Sequence, residues 1–258
     1  AMGVRKLKAV RREDVLTTTS QRSGAQWLLE TFLRRFRTLS HIVFMFPVVL
    51  LCGLCLGVAA GQGVFVYQTF SSLSADWPAY LRYMALGCGF AFGYVTFGLT
   101  LLFLVPAVNF LLPLKLKPFR GPWFSLSTVP WYTHNALTYI VRYSFLEFVT
   151  PSPLNIMFYR MMGMKIGKGV MINTTNISDP CLITLEDHVV IGGSATLVAH
   201  YGQRGFLVIE PVVIRKGANV GLKASVMGGA ELGEGCLVKP HAVVLPKGRV
   251  KAGETFES

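Results

Sequence analysis

An aliphatic residue returns at every sixth position from 208 to 250, as Val208, Ile214, Val220, Val226, Leu232, Val238, Val244 and Val250. Four positions after each of the first six stands a small residue, namely Val212, Ala218, Ala224, Ala230, Cys236 and Ala242. The same six-residue interval occurs earlier, in Leu185, Ile191 and Leu197 and again in Ile166 and Ile172. Neither the two-residue alternation of an ordinary strand nor the 3.6-residue turn of a helix produces such a series. It arises when each hexapeptide forms one flat side of a triangular coil, with the aliphatic inside and the small residue at the corner. Residues 166–258 are therefore expected to be all-β, a left-handed parallel β-helix. One irregularity interrupts it. Between Leu197 and Val208 eleven residues replace the expected twelve, so Tyr201 to Phe206 are expected to leave the coil as a loop. Loops on rigid scaffolds commonly carry function.

The first half of the chain is of another kind. Residues 38–75 and 83–114 contain no Asp, Glu, Lys or Arg, and each run exceeds the ~20 apolar residues that span a bilayer. A transmembrane helical hairpin is expected over 41–114, with Ile42 to Val66 fitting the first span and Tyr83 to Leu114 the second. A signal peptide would be shorter and nearer the N-terminus. Nine basic residues precede the first span (Arg5, Lys6, Lys8, Arg11, Arg12, Arg22, Arg34, Arg35 and Arg37), and only Arg82 lies in the connection 67–82. Lys115, Lys117 and Arg120 follow the second span. The positive-inside rule then places both termini in the cytoplasm and the protein in the inner, cytoplasmic membrane. The net charge of +12 divides evenly between residues 1–40 and 115–258, and the basic residues beside the spans read as a topology and headgroup signal. No recognition motif accompanies it, which argues against nucleic acid as a partner.

Around the spans, residues 1–40 form a basic, amphipathic N-terminal segment. Its helix is expected between Gly24 and Leu39, where Leu28, Leu29, Phe32, Leu33 and Phe36 recur at helical spacing. Residues 115–165 are expected as amphipathic interfacial helices, with Trp123, Trp131 and Tyr132 at headgroup level. One of these helices covers about Trp131 to Val149. The next starts at Ser152-Pro153 and stops at Gly163. Cys52, Cys55, Cys88, Cys181 and Cys236 all have apolar neighbours and read as packing residues.

The run Ile166 to Glu254 resembles the left-handed β-helix acyltransferases, a group that includes serine, maltose and xenobiotic acetyltransferases. A closer likeness is to the membrane-embedded C-terminal units of ε-poly-lysine synthetase-type peptide synthetases, in which a transmembrane pair precedes a β-helix. Their pattern of Leu-x-x-His, short loop and re-entering Val-x-Ile is matched here by Leu197 to His200, the loop, and Val212 to Ile214. The pattern often has a second His three residues on, where this chain has Gln203. The resemblance implies a thioester-dependent acyltransferase whose acetyl or aminoacyl donor is CoA-bound or carrier-bound. It also implies a homotrimer and no bound cofactor.

Such chemistry needs a base for the incoming hydroxyl or amine, and imidazole serves near neutral pH. His200, at the break in the repeat, is the candidate; Asp179, Glu186 or Asp187 could orient it. His188 and His241 fall where outward residues are expected and read as solvated. A zinc site of three converging His is not supported by their spacing. Gln203, Gly221, Lys223, Ser225 and Lys239 are the candidate substrate- and donor-binding residues, through backbone N–H groups near Gly221 to Ser225 and cationic side chains for donor phosphates. The acceptor is expected to be a membrane lipid or other membrane-associated hydroxyl or amine. The rival expectation is a non-catalytic membrane scaffold whose β-helix drives trimerisation.

Overall fold

A computed structural model of the chain describes residues 17–20 and 22–257. Arg5, Lys6, Lys8, Arg11 and Arg12, part of the charge asymmetry above, lie outside the described residues, as do Gln21 and Ser258.

Three helices open the fold: α1 (Gly24–Arg35), α2 (Arg37–Leu73) and α3 (Ala79–Leu111). The amphipathic helix expected to reach Leu39 ends at Arg35. Phe36 leaves helical geometry (φ −114°, ψ 58°), and the residues after it join the apolar α2. Both long helices are long and apolar enough to cross a membrane. At 37 residues α2 is about 55 Å long, well beyond a hydrocarbon core of roughly 30 Å. The two helices pack backbone to backbone. A Cβ on Gly63 would lie 2.7 Å from the Gly93 carbonyl oxygen, and one on Gly93 would lie 2.8 Å from that of Gly63. Close approach of this kind is what small residues permit between apolar helices.

The segment expected along the membrane surface packs one face against the long helices and the coils and leaves Tyr143 and Phe148 exposed. Helix α4 (Val129–Val141) continues into a π-turn at Arg142–Leu146 and packs against both α2 and α3. Leu137, Val141 and Leu146 are fully buried. The Phe145 ring fills the place of a side chain at Gly98, where a Cβ would fall 2.0 Å from it, and Tyr94 Oη donates to the Ser144 carbonyl at 2.9 Å. Helix α5 (Pro153–Met161) begins as the spacing predicts. Ser152 Oγ accepts from the Leu154 N–H at 3.1 Å and Asn155 Oδ1 accepts from the Ser152 N–H at 3.4 Å, a reciprocal cap. α5 closes the first coil: Asn155 Nδ2 donates to the Ile172 carbonyl at 2.9 Å. One hydrophobic core thus runs from Leu101 and Val105 of α3 through Leu137, Leu146 and Phe158 into the coils.

Short parallel strands stack into three sheets of five, five and four strands. Successive strands visit the sheets in turn, which makes a triangular parallel β-helix. The inward aliphatics stack in register: Leu185, Ile214, Leu232 and Val250 in the first sheet, Ile191, Val220 and Val238 in the second, and Leu197, Val226 and Val244 in the third. Corners take left-handed backbone conformations, at His188 (φ 59°), Lys223 (φ 54°) and His241 (φ 64°) among others. His241 is exposed there.

The break in the repeat differs from expectation. Leu185 and Ile214 pair across 29 positions and Ile214 and Leu232 across 18, so one turn carries eleven extra residues. They are not an irregular loop. His200–Gln203 and Phe206–Ile209 form an antiparallel hairpin whose turn residues Arg204 and Gly205 both have positive φ (51° and 84°), as a tight two-residue hairpin requires. A third strand, Phe119–Pro122, adds to its far edge. Val208, counted above as a coil position, belongs to this hairpin and packs with Tyr201, Phe206 and Met227 in a small separate core. The neck of the excursion is closed by the Glu210 N–H donating to the Ala199 carbonyl at 2.8 Å.

Candidate active site

His200 is the first residue of that hairpin, separated by Ala199 from the coil strand Thr196–Val198. The coil fixes its backbone tightly. Gly228, in the next coil, approaches so closely that a Cβ there would lie 3.0 Å from the Ala199 carbonyl and 3.1 Å from the His200 nitrogen. The His200 side chain is 21% exposed, and its Nδ1 lies 2.5 Å from Oδ2 of Asp179, which is wholly buried.

Asp179 sits at a left-handed position (φ 58°) just before a 3-10 turn, Pro180–Leu182. Asn135, on the inner face of α4, holds it at two points. Asn135 Nδ2 donates to Asp179 Oδ1 at 2.7 Å, and the Asp179 N–H donates to Asn135 Oδ1 at 3.3 Å. Trp131, one turn earlier on α4, lies edge-on to the imidazole with ring centroids 5.0 Å apart. A second tie of the same segment to α4 is the hydrogen bond between Tyr139 Oη and Ser178 Oγ at 2.9 Å.

An ionised carboxylate only accepts, so Nδ1 carries the proton and donates to Asp179. Among the described residues no hydrogen-bond partner meets Nε2, on the ring edge away from the carboxylate. A neutral imidazole held in this tautomer, with a carboxylate that stabilises the charge it acquires, is the arrangement of a general base. Two other titrating groups nearby are unsuited to that part. Burial, followed by the charge of Asp179, pushes the Cys181 thiol up to about 12, so it is not a thiolate nucleophile near neutral pH. Burial pushes His134 down to about 4; its Nδ1 is engaged with Asn109 Oδ1 at 3.0 Å.

Of the three carboxylates that could orient His200, Asp179 does so. Glu186 instead accepts from Arg215 Nη1 at 2.8 Å and the Lys216 N–H at 3.0 Å, and Asp187 caps the Lys168 N–H at 2.7 Å. Asn135 and Trp131 were not anticipated from sequence as site residues.

The remaining candidates do not converge on the imidazole within one chain. Gln203 is exposed at the hairpin tip, about 10 Å along the strand from His200. Gly221, Lys223 and Lys239 lie at the corner between the second and third sheets, whereas His200 lies at the corner between the third and the first. The backbone N–H groups expected to meet a donor are used between coils. Those of Gly221, Lys223 and Ser225 donate to the carbonyls of Val238, Gly193 and Ala242 at 2.8, 2.9 and 2.9 Å. A Cβ on Gly221 would meet the Pro240 nitrogen at 2.6 Å, so this glycine serves coil stacking. The Lys239 ammonium is paired with Glu257, while Lys223 stays exposed and Ser225 half-buried on the third sheet.

No family model matches the chain. A 157-residue segment is 27% identical to delta-poly-L-ornithine synthetase of Acinetobacter baumannii, covering 61% of this chain and 11% of that protein. The chain thus resembles a small part of a much longer synthetase. Among solved structures, a hexapeptide-repeat acetyltransferase of Vibrio cholerae complexed with acetyl coenzyme A is 17% identical over 48% of this chain and 81% of its own, with a TM-score of 0.40. Serine acetyltransferase of Neisseria gonorrhoeae is 17% identical over 75% of this chain and 74% of its own, with a TM-score of 0.31. The β-helix rests on its own strand pairing rather than on these distant likenesses.

Proposed function

We propose that the chain is a membrane-anchored acyltransferase that moves an acyl group from a thioester to a hydroxyl or amine, with His200 as general base. The observation that carries this reading is the Asp179–His200 pair, set where the eleven-residue excursion leaves the solenoid and clamped from behind by Asn135. Nε2 removes the proton from the acceptor as its oxygen or nitrogen attacks the thioester carbonyl. The carbon–sulfur bond breaks, and the imidazolium returns the proton to the departing thiolate. Asp179 stabilises the transient imidazolium and stays ionised. No covalent enzyme intermediate is needed, in keeping with a protonated Cys181.

The donor is CoA or a carrier-bound thioester, as in the proteins this chain resembles, and the acceptor is membrane-associated. α2 and α3 hold the site at the bilayer surface, which raises encounters with a substrate confined to the same plane. Lys223 and Ser225 meet the donor across a subunit boundary in a homotrimer of left-handed coils, since one chain places them and His200 at different corners. The experiment is thiol release from acetyl-CoA by purified protein in nanodiscs, followed with and without amine and alcohol acceptors. Acceptor-dependent release is expected. A folded oligomer that releases no thiol from CoA or carrier donors with any acceptor points to the scaffold alternative.

A further inference from the structure

Helix α4 touches the Asp179–His200 pair along one face and the long apolar helix α3 at its C-terminal end. Trp131, Asn135, Tyr139 and Arg142 recur at three- and four-residue intervals and so share that face. Each meets the pair or the segment leading to it. Trp131 lies against His200, Asn135 holds Asp179, Tyr139 is bonded to Ser178 at 2.9 Å and Arg142 Nη2 donates to Asn176 Oδ1. Among the described residues the Asp179 carboxylate bonds only to Asn135 and His200. Where α4 lies therefore decides where the carboxylate lies.

The position of α4 is fixed in turn by the π-turn Arg142–Leu146. A π-turn fits an extra residue into one turn, so the side chains after it face another way from those before it. Phe145, 2% exposed, lies against α3 with its ring 5.6 Å from those of both Tyr94 and Phe148. Tyr94 and Gly98 stand four residues apart on one face of α3. Gly98 leaves the notch that the Phe145 ring fills, since an added Cβ would fall 2.0 Å from two of its atoms. Tyr94 Oη donates to the Ser144 carbonyl at 2.9 Å, and Ser144 Oγ donates to the Ile140 carbonyl. A ring in a notch and a hydroxyl on a backbone acceptor thus seat the π-turn on α3.

We infer that Tyr94, Gly98 and Phe145 are positioning residues: by seating the π-turn, α3 sets how closely α4 holds the Asp179 carboxylate to the His200 imidazole. Their effect reaches the pair through Asn135 and Tyr139. Because Phe145 is buried, its ring cannot relieve a methyl at Gly98 by swinging into solvent, and a close-packed interior passes the displacement on to α4. The consequence for rate rests on the acyl-transfer reading; the seat itself stands on the packing.

Two readouts keep these claims apart. The first is the proton between His200 Nδ1 and Asp179 Oδ2, which lie 2.5 Å apart. A hydrogen bond this short to a carboxylate places it far downfield in proton spectra, recorded on the ¹⁵N-histidine-labelled full chain in nanodiscs and assigned by its loss in His200→Gln. Gly98→Ala should remove the resonance from that position, and Gly98→Ala with Phe145→Leu, which makes room for the methyl, should restore it. Gly57→Ala, where an added Cβ meets nothing within 4 Å, should leave it in place. The second readout is thiol release from acetyl-CoA with ethanolamine, which offers both an amine and a hydroxyl. Gly98→Ala should lower kcat about 10- to 100-fold, the scale of a misplacement near 1 Å, with KM for acetyl-CoA nearly unchanged and kcat recovered in the double variant. Tyr94→Phe removes a hydroxyl and adds no bulk, so it should lower kcat only about 2- to 10-fold, as one neutral hydrogen bond does. A resonance that stays in place in Gly98→Ala, or is absent from the parent, overturns the inference whatever the activity. A resonance lost and restored with kcat unchanged overturns the consequence for rate. The same resonance behaviour in a parent that releases no thiol supports the seat and counts against the acyl-transfer reading instead.

Discussion

Asp179→Asn isolates the part of the site that is electrostatic. The amide is nearly isosteric, and both contacts with Asn135 survive, because its Oδ1 can still accept at 2.7 Å and its backbone N–H still donates at 3.3 Å. The change falls on the 2.5 Å contact with His200. Asn presents an N–H there, so Nδ1 becomes the acceptor, the proton moves to Nε2, and the ring is in the wrong tautomer to take a proton. Loss of one charge-assisted hydrogen bond is worth about 1.5–3 kcal/mol, or roughly 10- to 150-fold in rate. The wrong tautomer extends the loss toward the ~10²–10⁴-fold that a general base contributes. We expect single-turnover acyl transfer to fall within that range while the melting midpoint in detergent moves by only a few degrees. A rate within threefold of the parent would refute the reasoning and make the Asp179–His200 contact a structural ion pair. Asn135→Ala should produce a smaller loss of rate, since Asp179 keeps its charge and loses only its clamp.

Cysteines placed at Ser72 and Thr255 should differ in intact cells, the first reacting with an impermeant thiol reagent and the second protected; the reverse pattern would contradict the cytoplasmic site. Native mass measurement in detergent should give three copies, and an active monomer would show that the donor residues of one chain suffice. His134 predicts an acid-side loss of stability. Its pKa is about 4 in the fold and ~6.5 when unfolded, so the unfolded state binds the extra proton between those values. Stability is then full above pH 6.5, falls by about 3 kcal/mol on the way down to pH 4, and changes little below that from this group. His134→Gln should flatten the fall in a pH series of thermal melts, and an unchanged slope would assign it to other groups.

How far the chain could be read from sequence differed by element. The coils from Ile214 to Val250 were legible because every inward position obeys one period and the contacts are with the next coil, 18 residues on. Val208 was misplaced because six is a multiple of two. An aliphatic at that spacing suits an antiparallel strand as well as a coil side, and the hairpin used it so. His200 was legible as a polar residue at the break. Asn135 was not, since it reaches Asp179 from 44 positions away and no local pattern marks such a contact. Trp131 was legible only as a residue suited to the headgroup region. Its contact with the imidazole has no local mark in the sequence. Likewise α4 was recognised as amphipathic, but its inner face covers the β-helix as well as the hairpin, and only the packing of both on one helix reveals the site between them.

The central claim is that His200 removes the acceptor proton, and the rate of acyl transfer by His200→Gln tests it most directly. Gln retains an N–H for Asp179 and so avoids leaving a buried carboxylate alone, but it cannot accept a proton. His241→Asn is the control, at an exposed left-handed corner that Asn tolerates. The account predicts that His200→Gln loses about 10²–10⁴-fold in single-turnover transfer with fold and oligomeric state intact, while His241→Asn matches the parent. Parental rates in His200→Gln would contradict histidine base catalysis at this site.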